Sequence, residues 1–83
     1  MEITNNTTNG QFEVRQGDHL AYITYRERDG IFYLMHTEVP QELGGQGIGS
    51  ALVEHAVDYA VAHGWEYKPY CIFAKGYLEK HPR

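Results

Sequence analysis

The segment Leu43-Gly44-Gly45-Gln46-Gly47-Ile48-Gly49-Ser50-Ala51-Leu52 constrains the fold of this chain more than any other. Four glycines fall within six residues, after an apolar run of strand character and before a run of helical character. A helix that starts in such a loop leaves its first backbone N–H groups without partners and presents the positive end of its dipole. Glycines let an anion approach those amides closely, because no Cβ stands in the way. The loop therefore marks a strand-to-helix junction that serves either as a structural turn or as a phosphate cradle.

The remaining elements sort around that junction. Residues 1–10 (MEITNNTTNG) are polar and read as a frayed start or a short edge strand. Phe12-Glu13-Val14-Arg15 alternates apolar and polar, as a half-buried strand does. After the turn residues Gln16-Gly17-Asp18, His19 to Arg28 is rich in β-branched and aromatic residues. Asp29-Gly30 is a hairpin signal, and the nearly continuous apolar run from Ile31 to Val39 predicts an interior strand that Pro40 ends. On that strand the period of two puts Phe32, Leu34, His36 and Glu38 on one face and Tyr33, Met35, Thr37 and Val39 on the other.

From Ile48 to Tyr59 the spacing predicts an amphipathic helix. Ile48, Gly49, Leu52, Val53, Ala56, Val57, Tyr59 and Ala60 form its apolar arc, with Ser50, Glu54 and Asp58 opposite as a solvated face. His63-Gly64 closes it. Trp65 to Tyr70 reads as one more strand and Lys75 to Lys80 as a short final helix. The expectation is an α+β (α/β-like) domain over residues 1–83: three antiparallel hairpin strands, a helical crossover, a parallel fourth strand and a terminal helix. Ligands of a strand–helix–strand unit bind beyond the carboxyl ends of its strands. That location gathers His36 to Val39, the glycine loop and Cys71.

Composition narrows the function. Eleven acidic and seven basic residues give a net charge of −4, without a Lys/Arg cluster, which disfavours a nucleic-acid partner. Cys71 is the single cysteine, so neither an internal disulfide nor a cysteine-based metal centre is available. The histidines show no paired spacing with carboxylates that would suggest zinc, so no metal is expected. No apolar run reaches the ~20 residues of a membrane span, and the amino terminus has no apolar leader. These features predict a cytoplasmic protein without a membrane association, monomeric or weakly dimeric. The loop lacks the Lys-Ser/Thr ending of a nucleotide-hydrolysing loop and the downstream acidic residue of a dinucleotide fold.

Gly45 to Leu52 (Gly-Gln-Gly-Ile-Gly-Ser-Ala-Leu) resembles the acetyl-coenzyme A pyrophosphate motif of the GNAT N-acetyltransferase superfamily, written Gln/Arg-x-x-Gly-x-Gly/Ala. The span from Phe12 to Pro82 is similar to its small, single-domain, cysteine-containing subgroup. The matching motifs are His36-Thr37-Glu38-Val39-Pro40, Gly44 to Gly49, Pro69-Tyr70-Cys71-Ile72-Phe73 with Tyr77, and His81-Pro82. Gly44 stands where the wider superfamily carries Gln or Arg, which removes a side-chain contact to the pyrophosphate that Gln46 can partly replace.

The resemblance implies acetyl transfer from acetyl-coenzyme A to an amine of a protein or small molecule. The pyrophosphate would lie on the loop from Gly44 through Gly45, Gln46, Gly47, Ile48 and Gly49 to Ser50, and the pantetheine arm alongside Glu38 and Val39. Cys71 falls at the position of the subgroup's proposed catalytic cysteine. On the residues alone it is an acetyl-accepting nucleophile, a residue shaping the thioester pocket, or an inert buried thiol. His36 is the leading general base, since histidine takes up a proton near neutral pH. Tyr77 is the candidate proton donor to the departing thiolate. The alternatives are a coenzyme A-binding or sensing module without transfer, and a scaffold whose glycines serve only as turns.

Overall fold

The computed structural model describes residues Met1–Arg83. Five strands, β1 (Thr4–Asn6), β2 (Gln11–Gln16), β3 (His19–Arg28), β4 (Ile31–Glu38) and β5 (Glu66–Pro69), form one sheet in chain order. Three hairpins make β1 to β4 antiparallel, while β5 returns parallel to β4 after the helix α1 (Ile48–Ala62). A second helix, α2 (Ile72–Lys80), completes this α+β fold. The expected architecture is present with one strand more. Thr4–Asn6 pairs with Gln11–Glu13 as an edge strand, so the amino-terminal segment is an element of the sheet.

Alternation decides which side of the sheet the helices cover. Phe12, Val14, Ala21, Ile23, Phe32 and Leu34 are buried beneath Ile48, Leu52, Val53, Ala56, Val57 and Ala60 of α1. Those six α1 residues lie on the arc that the helical period marks out, and burying them is what holds an otherwise marginal 15-residue helix. Tyr25 stacks on Phe32 with ring centroids 4.8 Å apart and Trp65 stacks on it at 5.7 Å, so aromatic rings close the base of the core. The Tyr25 hydroxyl donates to Asn5 Oδ1 at 2.6 Å, which fastens the edge strand to the core. No helix is long and apolar enough to cross a membrane. The opposite face of the sheet carries no helix.

Two local readings are corrected. The last helix begins at Ile72, three residues before the expected Lys75, because Cys71 sits in extended geometry at its amino-terminal cap. Glu54 and Asp58 do not simply face solvent. The Arg83 guanidinium binds both carboxylates, and the Tyr77 hydroxyl donates to Glu54 Oε2 at 2.8 Å, tying the carboxyl-terminal segment along α1. The remaining part of the chain that bears on function is the end of the sheet where β4 and β5 part.

Candidate active site

The parting of β4 and β5 follows from a bulge. Tyr25 opposes Leu34 while the preceding residue, Thr24, opposes His36, so Met35 has no partner on β3. One extra residue in a strand reverses which face every later side chain occupies. Thr37 opposes Ile23 and therefore lies on the helix side, whereas His36 opposes Thr24 and Glu38 opposes Tyr22 on the open side. The parallel ladder stops at the same point. Its last pair is Leu34 with Pro69, after which the amides of Tyr70 and Cys71 both donate to the Leu34 carbonyl, at 2.9 and 3.1 Å. From Met35 onward the β5 side of β4 is unpaired, and a fork opens between the strands.

The glycine loop faces this fork on the helix side. A short turn, Gln41–Leu43, anchors the loop through buried Leu43. Gly45 (φ 78°) and Gly47 (φ 75°) then adopt left-handed backbone, which glycine reaches without a steric penalty. Gly47 caps α1 with no side-chain hydrogen bond, and no acidic residue stands in the first turn. The amides of Gly45, Gln46 and Gly47 donate to no backbone carbonyl, and the first helical bond is Ala51 N–H to Gly47 C=O at 3.0 Å. The amides of Ile48, Gly49 and Ser50 thus precede the helical ladder. A continuous row of free N–H groups at a positive dipole end is suited to a bound anion.

These amides border a cleft of about 330 Å³ lined by Thr37, Val39, Leu43, Gly44, Gly45, Gly47, Ile48, Gly49, Ser50 and Phe73. Of the residues expected to contact a cofactor, Val39 and the loop positions other than Gln46 line it. Gln46 is exposed on the loop, and the bulge carries Glu38 to the other face. Thr37, Leu43 and Phe73 are additions. Thr37 and Phe73 belong to the quoted motifs, but a lone hydroxyl and a phenyl ring carry no chemical signature that would single them out. Gly49 shows how tightly the cleft is built: a Cβ there would stand 2.9 Å from Phe73 Cζ and 3.5 Å from Val39 Cγ2. The cradle is therefore shaped by the missing side chain.

Cys71 joins the cleft through Thr37. Its Sγ is 3.2 Å from Thr37 Oγ1, and the residue is 8% exposed. Burial alone pushes a thiol up, but here the Thr37 hydroxyl and the amides of Ala74, Phe73 and Thr37 outweigh it and hold the Cys71 thiol below its ordinary value. The Thr37 hydroxyl contributes most to this lowering, and the place of Cys71 at the head of α2 adds to it.

The other two candidates do not converge on Cys71. His36 Nε2 lies 3.2 Å from Glu38 Oε1 on the open face, with both side chains more than half exposed. The expectation that these two share a face holds. The expectation that this face also carries Phe32 and Leu34 fails, because the Met35 bulge intervenes. Tyr77 does not line the cleft. Its hydroxyl donates to Glu54, whose carboxylate pushes the Tyr77 phenol up, and its ring stacks on His81 at 4.3 Å. No group of three or more His, Cys, Asp or Glu side chains is arranged to hold a metal ion.

Comparison with known proteins agrees with this fold. A family profile described as GCN5-related N-acetyl-transferase matches residues 11–83. A solution structure from Staphylococcus aureus, described as a GCN5-like candidate N-acetyltransferase, is similar with a TM-score of 0.76 and 36% sequence identity. The similarity covers 96% of this chain and 79% of that one. Among curated proteins none matches.

Proposed function

The chain belongs to the GCN5-related N-acetyltransferase family, and from that premise we propose that it transfers an acetyl group from acetyl-coenzyme A to an amine. The observation that carries this reading is the row of free amides from Gly45 to Ser50, opening on a cleft whose wall, Thr37, is bonded to the Cys71 thiol. Bound acetyl-coenzyme A supplies the acetyl group as a thioester, already activated toward nucleophiles. In this chain the amides of Gly45 to Ser50 would hold its pyrophosphate, and the unpaired edge of β4 beyond Leu34 would take its pantetheine amides. Gly49 keeps the passage between Val39 and Phe73 open.

Thr37 and the first turn of α2 hold the Cys71 thiol below its ordinary value. Its sulfur would attack the acyl carbon and release coenzyme A as the free thiol, after which the amine would displace the Cys71 sulfur to give the amide. His36, oriented by Glu38, stands on the far side of the sheet, where it would take the proton of an amine arriving from that side. Tyr77 is left with a positioning role, since its hydroxyl serves Glu54 and keeps α2 against α1.

Calorimetry with acetyl-coenzyme A and with coenzyme A tests the binding half, and mass spectrometry after incubation with acetyl-coenzyme A tests the chemistry. Binding of both, a gain of one acetyl mass on Cys71, and turnover of an amine lost in Cys71→Ala support the proposal. Binding of neither would sink it. The separation of His36 from the cleft favours a second reading, a coenzyme A-binding module without transfer. It predicts tight binding with no adduct and no turnover across a broad amine panel.

A further inference from the structure

The uncovered face of the sheet holds a second concavity, a groove of about 550 Å³ lined by Arg26, Glu27, Arg28, Tyr33, Met35 and Tyr70. Strand geometry gives it a definite polarity. Arg26 opposes Tyr33 and Arg28 opposes Ile31, so both arginines project from one face of β3. Neither has a carboxylate within salt-bridge distance: the ion pairs of the chain involve His19, His36 and Arg83. This stands out in a chain of net charge −4, where Arg83 alone takes two carboxylates. Glu27, which also lines the groove, forms no ion pair with either, and its carboxylate accepts the Gly30 amide at 3.0 Å in the turn. Tyr33 and Tyr70 pack at 5.2 Å and wall the groove, while Tyr70 is 63% exposed.

The groove ends at the fork. Tyr70 directly precedes Cys71, both amides donate to the Leu34 carbonyl, and Met35 of the bulge lines the groove. On the open face, beyond the bulge, stand His36 and Glu38. One end of the groove therefore abuts the opening toward Cys71, and the other holds two guanidinium groups without a salt-bridge partner. At about 3.3 Å per residue along β4, Tyr33 and Ile31 put Arg26 and Arg28 roughly 3–10 Å from Leu34. An extended peptide covers that span in two or three residues.

We propose that this groove seats the acceptor as an extended peptide whose reactive amine is followed two or three residues later by an acidic side chain, held by Arg26 and Arg28. The assignment rests on the acetyl-transfer reading for the reactive end, while the charge recognition stands by itself. A planar guanidinium pairs with a carboxylate through two parallel hydrogen bonds, and a like-charged pair on one strand face is relieved by an anionic guest. Tyr33 and Tyr70 supply a rigid wall for the residues between. Two arginines in an acidic chain are too few to hold a nucleic-acid backbone.

The test measures peptide binding without acetyl-coenzyme A, by fluorescence anisotropy and by backbone amide shifts in the isotope-labelled full chain. The probes are fluorescent peptides with a free amino terminus and Glu, Gln or Lys at the third position, alongside a single-stranded oligonucleotide. The Glu peptide should bind about tenfold more tightly than the Gln peptide, more weakly as salt rises, and should shift the amides of Arg26, Arg28, Tyr33 and Tyr70. In R26E/R28E, both sites being exposed, the order should invert toward the Lys peptide. Equal binding of all three peptides, an unchanged order in R26E/R28E, or preference for the oligonucleotide would overturn the assignment. The two proposals fail separately. A groove that ignores charge in a protein that still binds acetyl-coenzyme A refutes the acceptor class alone. Selective peptide binding in a protein that ignores acetyl-coenzyme A refutes the transfer reading alone.

Discussion

Gly49→Ala separates the stability of α1 from the capacity of the cleft. Gly49 is helical, so alanine fits its backbone and removes a glycine penalty of about 0.5–1 kcal/mol. The new methyl would stand 2.9 Å from Phe73 Cζ, 3.1 Å from Phe73 Cε2 and 3.5 Å from Val39 Cγ2. The two closest contacts are with the tip of a side chain that is 45% exposed, so the ring swings outward before the backbone yields. Giving up the covered half of a phenyl ring costs about 1 kcal/mol at ~25 cal/mol per Å². Gain and cost nearly cancel, so stability should stay within about 1 kcal/mol of wild type, less than ~8 °C in Tm for a domain of this size. Ligand capacity has no such compensation. The methyl fills space between Val39 and the free amides, and acetyl-coenzyme A should bind at least about tenfold more weakly, or ~1.4 kcal/mol. Thermal melts followed by circular dichroism, paired with calorimetry, measure both quantities. A fall in Tm well beyond that allowance of ~8 °C would show that Phe73 cannot move. Unchanged affinity would show that Gly49 does not floor a coenzyme A site.

Thr37→Val removes a hydroxyl from the Cys71 sulfur, so the pH midpoint for alkylation of Cys71 should move upward; an unmoved midpoint would discount that bond. The folded thiol lies below its unfolded counterpart, so its contribution to stability is fully present above the unfolded range near ~8.5 and is lost as pH falls through the folded value. Cys71→Ala should abolish that rise of stability with pH, read from denaturant midpoints at a series of pH values. Tyr25→Phe deletes the bond to Asn5 and should cost about 0.5–1.5 kcal/mol in urea unfolding, with amide exchange of Thr4–Asn6 accelerating first. Phe32→Ala, which empties the centre of the aromatic stack, should cost about 3–5 kcal/mol and leave little folded protein at room temperature.

The sequence carried the fold wherever a period or a turn signal ran long enough. His19–Arg28 and the start of β4 follow from β-branched and aromatic runs bounded by Gly17 and Gly30, and α1 follows from a helical period sustained over four turns. The glycine loop announced its position because glycines at a strand-to-helix junction have few other uses. The bulge left no such trace. Met35 simply continues the apolar run of Tyr33 and Leu34, so Tyr33-Leu34-Met35-His36 reads as an unbroken strand, and only pairing with β3 shows the slip. That one residue separates His36 from Cys71. The Glu54 and Asp58 contacts were hidden for a different reason: their partner, Arg83, is 29 residues from Glu54 in sequence. Cys71 is not among the usual helix caps, which concealed the first turn of α2.

The sheet is a meander of neighbouring hairpins joined to one distant partner, and this sets the order in which parts of the molecule come undone. Strands β1 to β4 make contacts between near neighbours in sequence, which form early and re-form quickly. The β4–β5 ladder joins strands separated in sequence by α1, and it rests on four residue pairs and the two amides held by Leu34. That joint is the one seam of the sheet between strands that are not neighbours along a hairpin, and it is also the fork where the ligand would lie. Opening of the fork should run along this joint, and a ligand bridging the loop to β4 would act as a clasp across it. Occupancy of the cleft would then be recorded as slowed exchange of the Tyr70 and Cys71 amides, leaving the hairpins unaltered.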